Sequence, residues 1–184
     1  AIGTNNVECT ARLCMASSAI GFISTLGADA PPTCYADIED ADLFFIAGNN
    51  MAVSLPVLFR RICAARIKNS AKIIVVDPRR SETASVADIH LQIKPGTDVA
   101  LNNALGHILL KEGFVHEEIV EHYTTGLRDL KEILKEYPPS RVAKITGCTE
   151  KQIIETARII GQAKAMLTFW FQGYNQSTQA VFKN

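Results

Sequence analysis

Four short apolar runs, each stopped at once by a turn-forming cluster, constrain this chain more than any other feature. Leu43-Phe44-Phe45-Ile46-Ala47 ends at Gly48-Asn49-Asn50, and Lys72 to Asp77, with Ile-Ile-Val-Val at its centre, ends at Pro78. His90 to Lys94 ends at Pro95-Gly96, and Ala165 to Phe171 ends at Gln172-Gly173. Such runs read as buried strands, because a strand covered on both faces is continuously apolar. Segments of helical period lie between them. Pro56 opens one that continues to about Lys68, since proline is tolerated at the first helical position. Residues 99–112 place Leu101, Leu105, Ile108 and Leu109 on one face, and shorter helices are expected at 116–123 and 127–136. Pro138-Pro139 reads as a break, and Thr149-Glu-Lys-Gln152 is a capping box that opens a helix to about Ala163. Near the start, Met15, Ala19, Phe22, Ile23 and Leu26 fall at helical spacing before Gly27. Strands alternating with helices predict an α/β fold: one domain over 1–184, a mostly parallel sheet, helices on both faces and right-handed crossovers.

Composition removes whole classes of function. The 184 residues are 47% hydrophobic, enough for one good core. Lys+Arg and Asp+Glu are equal at 19 each and aromatics make up 7%, so neither the basic stripe nor the stacking surface of a nucleic-acid binder is present. No apolar run approaches the roughly 20 residues of a membrane span, and no signal peptide is recognisable. The cysteines are Cys9, Cys14, Cys34, Cys63 and Cys148: odd in number, scattered, and without a C-x-x-C pair. A disulfide scaffold, a zinc ribbon and an iron–sulfur ligand set are all excluded. A cysteine that matters here acts alone.

The chemistry is expected at one edge. In open α/β sheets ligands sit outside the carboxyl ends of the strands. Four strand-ending segments share that edge: Gly48-Asn49-Asn50, Asp77-Pro78-Arg79-Arg80, Pro95-Gly96-Thr97-Asp98 and Gln172-Gly173-Tyr174-Asn175-Gln176. Asp77 is placed to hold ribose hydroxyls, and Arg79 and Arg80 offer planar forks for phosphate. Asp98 could accept the paired N–H donors of a guanine edge, or simply N-cap the helix that follows. Without a G-x-G-x-x-G, Gly48 alone is only a turn, and the arginines alone are only a solvated pair. Their convergence on one edge points to a nucleotide-like ligand. Cys14 falls at or just before a helix start, two residues after Arg12, where dipole and cation favour a thiolate. That makes it a nucleophile, a soft metal ligand or a small buried hydrophobe. His90, His107, His116 and His122 lie on predicted helices or a strand and offer it no partner.

Five segments, in order, resemble the molybdopterin oxidoreductase family: Ala11-Arg12-Leu13-Cys14-Met15-Ala16-Ser17-Ser18, Ile46-Ala47-Gly48-Asn49-Asn50, Val75 to Ala84, Pro95-Gly96-Thr97-Asp98 and Trp170 to Ser177. Within that family the likeness is greatest to the assimilatory and periplasmic nitrate reductases. The resemblance implies a Rossmann-like dinucleotide-binding domain and a bis(molybdopterin guanine dinucleotide) cofactor carrying molybdenum or tungsten. It places the metal ligand at Cys14, with Met15 beside it, where formate dehydrogenases of the family usually have histidine. It makes Gly48, Asn50, Asp77, Arg80, Gly96, Thr97, Asp98, Gln172 and Gln176 cofactor-binding residues. Gln172 departs from the methionine of many members, and Thr10 from the asparagine of periplasmic ones.

The implied activity is reduction of nitrate to nitrite by oxygen-atom transfer. The alternatives are a formate dehydrogenase alpha subunit, or a non-catalytic relative that keeps the fold for binding or assembly. The implied partners are further domains of the same chain, a small anionic substrate and an electron-donor or acceptor protein. A [4Fe-4S] cluster is expected in an amino-terminal domain outside this sequence. Residue 1 is Ala and the last stretch is polar; together they suggest an excised piece. Alone it is expected to fold, hold no metal, show no turnover and leave the Cys14 segment mobile or displaced.

Overall fold

The structure, a computed structural model, describes residues 3–8, 10–178 and 180–182. Cys9 lies outside them. The chain opens with α1 (Thr10–Cys14) and α2 (Ala16–Leu26). A 3-10 turn over Tyr35–Glu39 leads into β1 (Leu43–Ala47). After it come α3 (Met51–Ser54), α4 (Pro56–Asn69), β2 (Lys72–Val76), α5 (Glu82–Ser85) and β3 (Ile89–Leu91). Five helices follow: α6 (Asp98–Lys111), α7 (Glu117–Tyr123), α8 (Leu127–Lys135), α9 (Pro139–Thr146) and α10 (Glu150–Gln162). The last strand, β4 (Met166–Trp170), passes directly into α11 (Gln172–Asn175).

The four strands form one parallel sheet in the order β3-β2-β1-β4. Alternation along the strands divides the core in two. Leu43, Phe45, Ala47, Ile74, Val76 and Leu91 point to one face and pack on Leu101 and Leu105 of α6, Val142 of α9 and Ile153 of α10. Phe44, Ile46, Ile73 and Val75 point to the other, against Met51 of α3 and Phe59, Ile62 and Ala65 of α4. All five positions of β1 are buried, which is why that run has no polar residue. The β1–β2 and β2–β3 connections cross the second face in one direction, and the β3–β4 connection crosses the first face in the other. Reversing both face and direction keeps one handedness throughout.

Polar side chains fix the register at the entering ends of the strands. Asp42 accepts from the backbone N–H groups of Lys164 and Ala165, both at 3.0 Å, tying the start of β1 to that of β4. Asp88 accepts from Ile73 N–H at 2.7 Å and pairs with Arg66 at 2.6 Å, which joins α4, β2 and β3.

Some expectations need correction. Pro138-Pro139 follows the end of α8 as expected, but it also starts a helix not foreseen, since Pro138 is the N-cap of α9 and Pro139 its first residue. Cys14 falls just before the long helix as expected, with Met15 as the cap of α2, but it also closes a short helix, α1, that the spacing did not announce. Asp98 is not an N-cap, because Thr97 holds that position and Asp98 is the first helical residue. The third strand stops at Leu91 rather than Lys94, as the Lys94 N–H turns away to the Thr146 carbonyl at 2.8 Å.

Candidate functional site

Strand order determines where the site forms. From β1 the chain goes to β2 on one side, while β4 arrives on the other side, so the switch point of the topology lies between the carboxyl ends of β1 and β4. The loops leaving these two ends part company: Met51 of α3 packs on one face and Tyr174 of α11 on the other. Crevices of this kind are where open α/β sheets take ligands.

Two glycines meet there. The Gly173 N–H donates to the Gly48 carbonyl at 3.1 Å. A Cβ on Gly48 would lie 2.7 Å from the Gly173 Cα, and one on Gly173 would lie 2.5 Å from the Gly48 Cα. Gly48 also has φ +57°, a region that costs other residues energy. Each glycine thus occupies the space that a side chain on the other would need, and the turns after β1 and β4 pack backbone to backbone there.

The segment bearing Cys14 is anchored on the same loop. Ser18 Oγ donates to Asn175 Oδ1 at 2.6 Å and Ser17 Oγ to the Asn175 carbonyl at 3.1 Å. Asn175 Nδ2 donates to the Met15 sulfur at 3.7 Å. Gln176 Nε2 donates to the Cys14 carbonyl at 2.8 Å and to its sulfur at 3.1 Å. Instead of standing displaced, the half-buried Cys14 is held beside the carboxyl end of β4. The four histidines are elsewhere: His90 bonds the Asp77 carbonyl beyond β2, His107 bonds the Leu134 carbonyl, and His116 and His122 belong to α7 and its cap.

The remaining predicted residues occupy the edge in different ways. Asp77 is partly buried, and its Oδ1 accepts from the Arg79 N–H at 2.8 Å, which closes the loop after β2. The Arg79 and Arg80 residues are exposed. Gly96 has φ +82° in the turn before α6 with open space around it, and Thr97 Oγ1 donates to the Lys94 carbonyl at 2.6 Å. Asp98, largely buried, puts a carboxylate on the positive end of α6. Burial, with the Asp98 charge adding to it, pushes the Tyr174 hydroxyl up to about 12. Gln172, exposed, is the first residue of α11.

Asn50 does work that sequence reasoning missed. Its Nδ2 donates to Glu82 at 2.8 Å, and its Oδ1 accepts from Thr83 Oγ1 at 2.9 Å and Thr83 N–H at 3.3 Å. Hydrogen bonds from Asn50 and its own backbone hold the Glu82 carboxyl below its ordinary value. Asn50 thus clamps the loop after β1 to the loop after β2. Ser18 and Asn175, the anchor of the Cys14 segment, were also assigned no role, although both stand in the quoted motifs.

An apolar cavity of about 500 Å³ lies to one side of this edge, lined among others by Met15, Phe22, Ile38, Phe169 and Trp170. Of the predicted site residues only Met15 borders it, so the rim itself is an open surface and not this cavity. Among the described residues no three His, Cys, Asp or Glu side chains gather as a metal site.

The sequence matches the molybdopterin oxidoreductase family over residues 1–181. The chain belongs to that family. It is 37% identical to a nitrate reductase of Synechocystis over 99% of its length, and 38% identical to formate dehydrogenase H of Escherichia coli over 98%. It covers 26% and 25% of those two proteins, so it spans about a quarter of the relatives it matches. Among solved structures, acetylene hydratase from Pelobacter acetylenicus superposes with a TM-score of 0.84 at 26% identity, over 98% of this chain and 24% of the other. The family carries a molybdopterin cofactor with molybdenum or tungsten, and no helix among the described residues is long and apolar enough to cross a membrane.

Proposed function

We propose that this chain is the cofactor-binding core of a molybdenum or tungsten oxidoreductase that reduces nitrate to nitrite, with Cys14 as the protein ligand to the metal. The observation that carries the reading is the Cys14 sulfur held at 3.1 Å by Gln176 of the loop that leaves β4. The donor set fits the group: one soft sulfur from the chain and, among the described residues, no competing cluster of His, Cys, Asp or Glu. A metal there would draw its other ligands from the cofactor. When bound, that group supplies a two-electron redox centre.

The chain's own residues would do the following. Asp98 would accept the N–H pair of a guanine. Asp77 would hold ribose hydroxyls, while Gly48, Arg80, Gly96, Thr97, Gln172 and Gln176 complete the rim. Asn50 acts by holding the loop between Gly48 and Glu82 in place. These loops would hold one guanine dinucleotide form of the cofactor; its second copy and a [4Fe-4S] relay would need protein outside this sequence. So would the electron-donor or acceptor protein and the other domains of the chain.

Met15 favours nitrate. It puts a thioether, not a titratable ring, next to Cys14, and the four histidines are committed elsewhere. Oxidation of formate releases a proton that a neighbouring base would take, and this position provides none. The formate dehydrogenase reading draws on the comparable identity to formate dehydrogenase H. Assay of the full-length protein with reduced dye and nitrate, and separately with formate and oxidised dye, separates them. Formate-dependent dye reduction without nitrate reduction would overturn the nitrate assignment. Absence of both activities in metal-loaded protein would favour a relative that keeps the fold for binding or assembly.

A further inference from the structure

Gln176 makes a contact that a rim residue does not need. Its one amide nitrogen donates twice to the same residue, to the Cys14 carbonyl at 2.8 Å and to the Cys14 sulfur at 3.1 Å. The orientation of the amide is set by chemistry, because a carbonyl oxygen only accepts and would repel Oε1 in that place. The two hydrogens of an NH2 group diverge at a fixed angle. Satisfying a backbone oxygen and a side-chain sulfur of one residue therefore fixes the rotation of Cys14 about its Cα–Cβ bond. The adjoining Asn175, buried, donates to the Met15 sulfur and accepts from Ser18 Oγ, which steadies the backbone that carries Gln176.

We infer that Gln176 is the positioning residue of the metal ligand, orienting the Cys14 sulfur and drawing electron density from it, and not chiefly a cofactor contact. This rests on the reading of Cys14 as ligand. Hydrogen bonds to a ligating sulfur make it a poorer donor and favour the more reduced metal, so they raise the metal's reduction potential. Removing the donor lowers the potential. A stronger, charged donor raises it. Gln176 is exposed, so its replacement opens no cavity in the core.

The test uses the full-length metal-loaded protein, with Gln176→Leu removing the donor and Gln176→Lys replacing it by a cation. Metal content is measured first, and the metal's midpoint potential is then read by redox titration followed by electron paramagnetic resonance. The expected result is full metal content with shifts of opposite sign: downward in Gln176→Leu and upward in Gln176→Lys. Loss of metal from Gln176→Leu but not from Gln176→Lys supports the same role through binding. Unchanged potentials in both variants, or equal loss of metal from both, would overturn the inference. Wild-type protein purified without molybdenum or tungsten after expression with both would remove its premise, and with it the reading of Cys14.

Discussion

Replacing Gly173 by alanine tests the crevice that the whole site is built around. The added Cβ would lie 2.5 Å from the Gly48 Cα, 3.0 Å from its oxygen and 3.2 Å from its carbonyl carbon. Carbon atoms in contact prefer roughly 3.5–4 Å, so the overlap is about 1 Å and falls on backbone that has no rotamer to change. Relief requires the turns after β1 and β4 to separate, which strains the packing by about 1–3 kcal/mol. The same movement breaks the bond from Gly173 N–H to the Gly48 carbonyl, worth about 1 kcal/mol more. The expected loss is about 2–4 kcal/mol, or a fall in Tm of roughly 4–16 °C for a chain of this size. Gly96→Ala is the control, since nothing lies within 4 Å of its Cβ and only the positive φ is penalised, at about 1–2 kcal/mol. Urea unfolding followed by circular dichroism measures both. A Gly173→Ala protein within about 0.5 kcal/mol of wild type would show that the two turns are not in contact as described, because a surface change of no structural consequence costs no more than that.

Three further outcomes are expected. Asp42→Ala should lose about 1–3 kcal/mol in urea unfolding, because the N–H groups of Lys164 and Ala165 lose their acceptor where β4 meets β1. Tyr174 should make stability fall in alkali: its folded value near 12 lies above the roughly 10 of an unfolded tyrosine, so its contribution is intact below pH 10 and lost as pH rises toward 12. The loss is on the order of 3 kcal/mol, and Tyr174→Phe should remove that part of the alkaline slope; identical slopes in the two proteins would refute it. The 184-residue chain expressed alone should contain no stoichiometric molybdenum by elemental analysis and reduce no nitrate, and either finding would mean that the metal site is more complete in it than proposed.

The fold was legible wherever local chemistry decides the outcome. β1 and β2 are apolar because both faces are covered, and the Thr149–Gln152 box reads as it folds, with Gln152 N–H on Thr149 Oγ1 and Gln152 Oε1 on Thr149 N–H. Helix α9 was missed because the same ring that breaks a helix interior starts one at its first position, and Pro139 marks both the gap after α8 and the start of α9. The short helices α3, α5 and α11 carry no periodic stripe, being single turns held by tertiary bonds such as Ala52 N–H to Thr83 Oγ1. The carboxyl edge could be named because every parallel strand ends there, but neither the strand order nor the contacts at that edge were legible. Asn50 meets Glu82 across 32 positions, and Ser18 meets Asn175 across 157. No local pattern records such a pair, so the scaffold role of the Asn50 amide was not legible beside the ligand role expected of it. Cys14 was singled out by motif, and only the folded chain shows what holds its sulfur.

The claim that Cys14 ligates the metal is tested most directly by X-ray absorption at the metal edge of the full-length protein, comparing wild type with Cys14→Ser. If Cys14 is the ligand, the variant loses one sulfur neighbour of the metal and gains an oxygen or nitrogen one. Identical sulfur coordination in the two proteins would contradict it.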